Sequence, residues 1–353
     1  MSEPIVHQAE PLNREWPLTE RTGWLTPDSR FFDRNHFRFP EVRADAWQIV
    51  VEGAVDRPQK VELWELKRQV PTSQWVTLEC SGNKRAFFEP PAEGDPWRGG
   101  AVGNAQWTGV PLRAVLIRAG VKPGATWVRF SGADAGRFKE TGQWVHFERA
   151  LPLAQALDAG VLLAYEMNGE PLPMAHGGPV RLVVPGWYGM ASVKWVSRIE
   201  VRTEPFRGPF QVRDYVYLPA PGAYDQAVPV TVGRVSSVIT APADMAEVRP
   251  GTLLVTGLAW SGAAPVARVD VSLNGETWVP ATLDEPVARY AWRGWHCSLP
   301  DVRPGKYLIN ARAADELGNV QPFKAPWNAK GYGNNQIAQA NISVSMRPTQ
   351  RLV

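Results

Sequence analysis

Cys80 closes a run, Gln74–Glu79, that reads as a buried strand, and it opens the turn Ser81-Gly82-Asn83-Lys84-Arg85. A thiol at a strand end with two cations inside the next five residues is expected to lean towards thiolate. Thiolate is the form that binds soft metals or attacks electrophiles, and an inert, half-buried thiol is the plain alternative. Cys297, between Trp295-His296 and Ser298-Leu299, reads as a packed thiol. With Cys 2 in the whole chain, a disulfide scaffold, a four-cysteine zinc site and a cysteine-held iron–sulfur cluster are excluded. The His 5 are scattered at positions 7, 36, 146, 176 and 296, so a zinc-protease helix is absent. There is no GxxxxGK[ST] loop and no GxGxxG after a strand, which argues against nucleotide-driven chemistry.

The elements that must position such a cysteine fall into two unlike halves. From Phe31 to Arg202 short strands (Gln74–Glu79, Thr126–Phe130, Arg181–Val184) mix with segments of helical spacing, Pro111–Ala119 and Phe147–Leu157, each followed by a glycine stop, Gly120 and Gly160. The passage Leu218–Pro229 is rich in Pro and Gly and has no period, which marks a boundary. Beyond it the alternating runs Leu253–Trp260, Ala267–Leu273, Thr277–Leu283 and Tyr307–Ala313 predict strands, with Asn274-Gly275 as a hairpin turn. The expected class is α+β: an N-terminal extension (1–30), a mixed α+β domain (31–220), an immunoglobulin-like β-sandwich (221–346) and a frayed tail (347–353).

Composition narrows the function further. Lys+Arg 38 against Asp+Glu 35 gives a net charge of +3, too balanced for a nucleic-acid binder, although basic residues can still converge on a small anion. No apolar run is long enough to span a bilayer. The opening Met1-Ser2-Glu3-Pro4 lacks the pattern of an export signal, so a cytoplasmic location is expected as the sequence stands, or a periplasmic one with the signal removed.

Leu78-Glu79-Cys80-Ser81-Gly82-Asn83-Lys84-Arg85 resembles the molybdenum-ligating segment of the sulfite oxidase family. Five further blocks resemble that family in the same order: Phe31–His36, Trp97–Leu112, Asn168–Trp195, Arg268–Ser272 and Gln321–Asn328. The resemblance covers about residues 30 to 344 and implies a molybdopterin domain followed by a dimerisation domain. It further implies molybdenum held by one pterin dithiolene and by the thiolate of Cys80, oxygen-atom transfer to sulfite to give sulfate, and electrons leaving one at a time. No haem or flavin module is expected in this chain, so a separate acceptor such as a c-type cytochrome is implied.

The same resemblance assigns roles by position. Arg34, Arg85 and Lys330 fall where the family binds its oxyanion, Tyr215 where it places an active-site phenol, and Trp97 where an indole lines the substrate funnel. Arg34, Asn35, His36, Asp134, His176, Arg181, Ser192, Val193 and Lys194 fall at pterin-binding positions. Sulfite and sulfate are compact anions that call for converging cations, and guanidinium does this with a directed fork. Lysine at 330 is a departure from the arginine expected there, and an ammonium orients a tetrahedral anion less strictly. Trp187-Tyr188, bulkier than expected after Pro185-Gly186, would narrow the pocket. Three rival readings remain: a nitrate reductase-type molybdoenzyme, disfavoured by the cation at 330; a cofactor-free two-domain binding protein; and a cysteine-nucleophile hydrolase, which lacks a histidine near Cys80 in sequence.

Overall fold

The computed structural model describes residues 3–18 and 24–346, so the expected frayed tail lies outside the described residues. Thr72–Glu79 is the strand that delivers Cys80. It pairs antiparallel with Val102–Pro111, from Thr72 opposite Gly109 to Glu79 opposite Val102. Val76 and Leu78 are fully buried, and the Cys80 N–H donates to the Ala101 carbonyl at 2.8 Å. Leu162–Met167 continues this sheet beyond Val102–Pro111, and Arg181–Val183 and Glu170–Pro171 both pair with Leu162–Met167. A second five-stranded sheet runs Gln59–Glu62, Gln48–Gly53, Val196–Arg202, Trp127–Arg137, Trp144–Pro152.

The first unit holds less helix than its mixed pattern suggested. Leu112–Ala119 forms as expected: Leu112, Val115, Leu116 and Ala119 make one buried face, and Gly120 ends the helix at φ +73°, in the region glycine favours. The expected helix Phe147–Leu157 does not form. Trp144–Pro152 is a strand, paired with Trp127–Arg137 from Trp127–Pro152 to Arg137–Trp144, and only Leu153–Ala156 makes a helical turn. Tertiary pairing overrides a weak local preference here.

Beyond the Pro/Gly passage two antiparallel-rich sheets enclose a second core. One runs Ser236–Ala241, Gly251–Trp260, Arg293–Val302, Thr282–Leu283; the other runs Ala246–Val248, Ala338–Val344, Gly305–Asp315, Val266–Leu273, Thr277–Pro280. Asn274 and Gly275, at φ +62° and +83°, make the expected tight hairpin turn. The run Thr277–Leu283 is two strands rather than one: Thr277–Pro280 pairs with Val266–Leu273, then the chain crosses at Ala281 and Thr282–Leu283 pairs in the other sheet.

The units are stitched together at the cysteine. Thr77 donates its N–H to the Tyr290 carbonyl (2.8 Å), and its hydroxyl accepts from the Trp292 N–H (2.8 Å). Residues 327–335 leave the sandwich and return to the first unit, where the Gly333 N–H donates to the Ser81 carbonyl (2.8 Å) and the Asn334 amide to the Lys84 carbonyl (3.0 Å). At the seam Gly262 lies so near Gly186 that a Cβ there would meet its carbonyl oxygen at 1.9 Å. The residues taken as an N-terminal extension are also built in. Ile5–Gln8 and Asn13–Glu15 form a hairpin, and the Glu15 carboxylate accepts the N–H groups of Arg98, Gly99 and Gly100 at 2.6, 3.1 and 2.6 Å.

Candidate active site

Cys80 ends its strand on the wall of a narrow chamber of about 50 Å³. Phe31, Phe32, Arg34, Asn35, His36, Ser81, Asp134, Arg181, Ser192, Lys194 and Tyr215 line the same space. Arg34, Asn35 and His36 are shared with a wider cleft of about 730 Å³, where Arg85, Asp95, Glu140, Asp214, Lys330 and Tyr332 join them. The three cations expected to bind an oxyanion therefore face one cleft, next to the thiol.

Arg34 is the hinge between the two spaces. Its guanidinium donates to the Asn35 carbonyl and to His36 Nε2, the latter at 3.1 Å. Burial works against its charge, but Tyr215, Cys80, Asp214 and Asp95 outweigh that and hold it above its ordinary value. The Tyr215 hydroxyl also donates to His36 Nε2 (3.1 Å), and Asp214 Oδ2 lies 3.3 Å from the same nitrogen. Burial and Arg34 push His36 down to about 4, so near neutral pH the ring is neutral, and a single Nε2 lone pair is shared between these donors. Burial pushes the Tyr215 phenol up, against the pull of Arg34, and it stays protonated. In the cleft, Arg85 donates to the carbonyls of Lys330 (3.1 Å) and Asp95 (2.9 Å), with its guanidinium over the Tyr332 ring.

The Cys80 thiol departs from expectation. Burial pushes it up, and Arg34, Arg85 and the Gly82 N–H recover only part of the shift. The protein alone does not make it a free nucleophile, which counts against the hydrolase reading; a bound metal ion would deprotonate it outright.

The residues present fit a molybdenum–pterin group. Two polar atoms on the chamber wall, Asp134 Oδ1 and Ser81 Oγ, are buried and lack any hydrogen-bond partner, the state a ligand's donors would relieve. Burial lifts Asp134 to about 7 despite Lys194. Facing it are cations short of anions. Burial and Arg181 lower Lys194 to about 7, and burial lowers Arg181 to about 9. An anionic ligand restores that balance. Lys194 already donates to Asn35 Oδ1 and to the Ala175 carbonyl (2.8 Å), while Arg181 donates to the carbonyls of Ser192 (3.1 Å) and His176 (3.0 Å). The Ser192 hydroxyl accepts from the Val184 N–H (3.0 Å). Among the described residues no group of three or more His, Cys, Asp or Glu could hold a metal ion by itself.

Three assigned residues line neither the chamber nor the wider cleft. Trp97 is fully buried in the apolar cluster behind Cys80, edge-on to His7 at 4.7 Å, and lines no funnel. His176 sits behind the wall, with Nε2 2.9 Å from the Asp28 carbonyl and Nδ1 3.6 Å from Asp33, and acts on the chamber through its carbonyl to Arg181. Val193 is fully buried, and its N–H and carbonyl are both spent, on Ala191 and Leu182. Sequence reasoning missed Asp33, Ser81, Asp214 and Glu140. The first three adjoin residues it did single out, whereas Glu140 had no local signal.

His36 and His176, both lowered from 6.5 to about 4, carry a pH consequence. Between those values the unfolded chain binds protons that the folded one refuses, so stability is lost as pH falls through that window. Between pH 7 and 5 each histidine contributes a loss of up to about 2 kcal/mol. Urea unfolding at the two pH values measures the loss. It should shrink in His36→Gln, and an undiminished loss would remove His36 from the account.

Residues 36–210 match the oxidoreductase molybdopterin-binding domain, and residues 229–345 the Mo-co oxidoreductase dimerisation domain. The chain is 38% identical to mitochondrial sulfite oxidase of Macaca fascicularis, over 96% of this chain and 66% of that protein, so it spans just under two thirds of that relative's length. It is also 38% identical to sulfite oxidase of Gallus gallus, over 92% of this chain and 75% of that one. The crystal structure of the sulfane dehydrogenase SoxCD from Paracoccus pantotrophus superposes with a TM-score of 0.83 at 30% identity, covering 96% of this chain and 88% of that one.

Proposed function

Because the chain belongs to the sulfite oxidase family of molybdopterin enzymes, we propose that it oxidises sulfite to sulfate and passes the electrons singly to a separate acceptor such as a c-type cytochrome. The observation that carries this reading is the placement of Arg34, Arg85 and Lys330 on one cleft that shares Arg34 with the Cys80 chamber.

Cys80 would hold the molybdenum, and Asn35, His36, Asp134, Arg181, Ser192 and Lys194 the pterin. When bound, the group supplies oxygen-atom transfer and a store for two electrons. The chain's own residues do the rest. Arg34 and Arg85 present directed N–H donors to the oxygens of the anion, and Lys330 adds charge at the rim. The Tyr215 hydroxyl keeps its proton and has neutral His36 as a resting acceptor, so it can turn its hydrogen bond onto an entering anion without ionising. The burial of Phe31 and Phe32 against the thiol limits water at that point. On the same reading, residues 31–220 form the catalytic unit and 221–346 an immunoglobulin-like sandwich through which two copies pair, and Lys330 serves the site of its own chain. Among the described residues no helix is long and apolar enough to cross a membrane.

Molybdenum-replete protein assayed with sulfite or nitrate and a dye couple tests the reaction. Sulfite-dependent dye reduction is expected, and Lys330→Ala should raise the KM for sulfite roughly tenfold, the worth of a hydrogen bond to a charged group. Nitrate reduction with no response to sulfite would give the rival reading the field, and an unchanged KM would remove Lys330 from the substrate site.

A further inference from the structure

Lys330 does not stand open in the cleft. Its Nζ donates to Glu140 Oε1 at 3.0 Å, and Glu140 is held in turn by Arg213 Nε on Oε2 (3.0 Å) and by the Tyr224 hydroxyl on Oε1 (3.1 Å). Glu140 sits at the tip of the hairpin joining Trp127–Arg137 to Trp144–Pro152, where Gly142, at φ +69°, turns the chain back onto the Phe138 carbonyl. Its partners come from three other segments: residue 330 on the returning loop, residue 213 in the turn Phe210–Asp214, and residue 224 in the turn Tyr224–Gln226. The carboxylate is thus fixed from several directions on the wall of the cleft that holds Arg34 and Arg85.

We propose that Glu140 is a specificity-determining residue, an internal carboxylate that competes with oxyanions for Lys330 and weights the cleft against dianions. The proposal rests on the sulfite reading for the identity of the anions. A carboxylate 3.0 Å from the ammonium spends one of its donors and cancels most of its charge, and it repels an incoming anion in proportion to that anion's own charge. Sulfite near neutral pH is partly the hydrogen-sulfite monoanion, whereas sulfate is a dianion throughout. Glu140 therefore opposes the product more than the substrate and hastens release of sulfate. The electrostatics around the pair agree: burial favours a neutral Lys330 but Glu140 holds it above its ordinary value, and Lys330 and Arg213 hold Glu140 below its own against burial.

The test is Glu140→Gln, which keeps the shape and one acceptor but removes the charge. Calorimetric titration of the protein with sulfate, and separately with nitrate as a monoanion, reads binding without turnover. Sulfate affinity is expected to rise roughly fivefold, from the removal of a partly exposed ion pair. Nitrate affinity should rise less, because the repulsion that is removed scales with the charge of the anion. In dye-coupled assays, inhibition by sulfate should strengthen more than the KM for sulfite falls. Unchanged or weaker sulfate binding by Glu140→Gln overturns the proposal, as does an equal gain for nitrate. Tighter sulfate binding in protein that does not oxidise sulfite would sustain the role of Glu140 and sink the sulfite reading instead.

Discussion

Cys80→Ser, purified beside the wild type from a host that makes the molybdenum cofactor, is expected to lose the proposed sulfite-dependent dye reduction by far more than the roughly ten- to hundredfold typical of removing an outer-shell partner. The reason lies in the atom at the strand end. A serine oxygen is a harder and less polarisable donor than a thiolate, so even where it took the ligand place it would change the electron density on the metal. The side chain is otherwise nearly isosteric, and the Cys80 N–H to Ala101 bond and the turn it opens survive the change. Metal content measured by plasma mass spectrometry separates two outcomes. Molybdenum retained, with the thiolate charge-transfer colour and the activity gone, places Cys80 on the metal. Retained colour and activity would make Cys80 a bystander.

Lys84→Met is expected to lower the unfolding free energy by about 3 kcal/mol and to loosen one unit from the other. Lys84 is buried on the cysteine turn, at φ +62°, and its Nζ donates to the Ser236 hydroxyl and the Ser237 carbonyl, both at 2.9 Å, in the sandwich. Burial lowers it to about 8, with Glu79 pulling the other way. Glu79 is itself buried and accepts from Asn83 (2.9 Å) and from Trp260 Nε1 (2.9 Å). Methionine fills the space but strands the serine acceptors and leaves the Glu79 carboxylate without its nearest cation. That is the costly way to break a buried polar network. Scanning calorimetry should show a lower and broader transition, or two in place of one. A melt superimposable on the wild type would mean the Lys84 bonds carry no net stability.

What was legible in the sequence was local. The cysteine turn, the glycine-capped helix Leu112–Ala119 and the Asn274-Gly275 hairpin each depend on residues within a few positions of one another, and each forms as read. Phe147–Leu157 failed because its apolar residues, Phe147, Ala150, Leu151 and Ala156, fit either period, and only the partner strand decides between them. Thr277–Leu283 failed because one alternating run serves two sheets in succession, and nothing in the alternation marks the crossing. The site divides in the same way. The residues gathered at the chamber come from blocks whose order is visible in one dimension. Trp97 belongs to such a block yet turns into the core, since a block fixes where the backbone goes and not which side of the wall a side chain takes. Glu140 and Lys330, 190 positions apart, meet only in three dimensions.

The loop that returns from the sandwich to the turn after the cysteine sets an order of events in the life of the chain. Lys84 and its partner Asn334 are separated by 250 positions, and the Ser81–Gly333 bond is just as remote. At roughly 5–20 residues per second of synthesis, the floor of the pocket leaves the ribosome on the order of ten to fifty seconds before the residues that close it. Until then the nascent cleft lacks Lys330, Tyr332 and the strap at Gly333, and it faces solvent on that side. The pocket is built floor first and door last, so a polypeptide that stops before Lys330 lacks one wall of the wider cleft, however well its first sheets have folded.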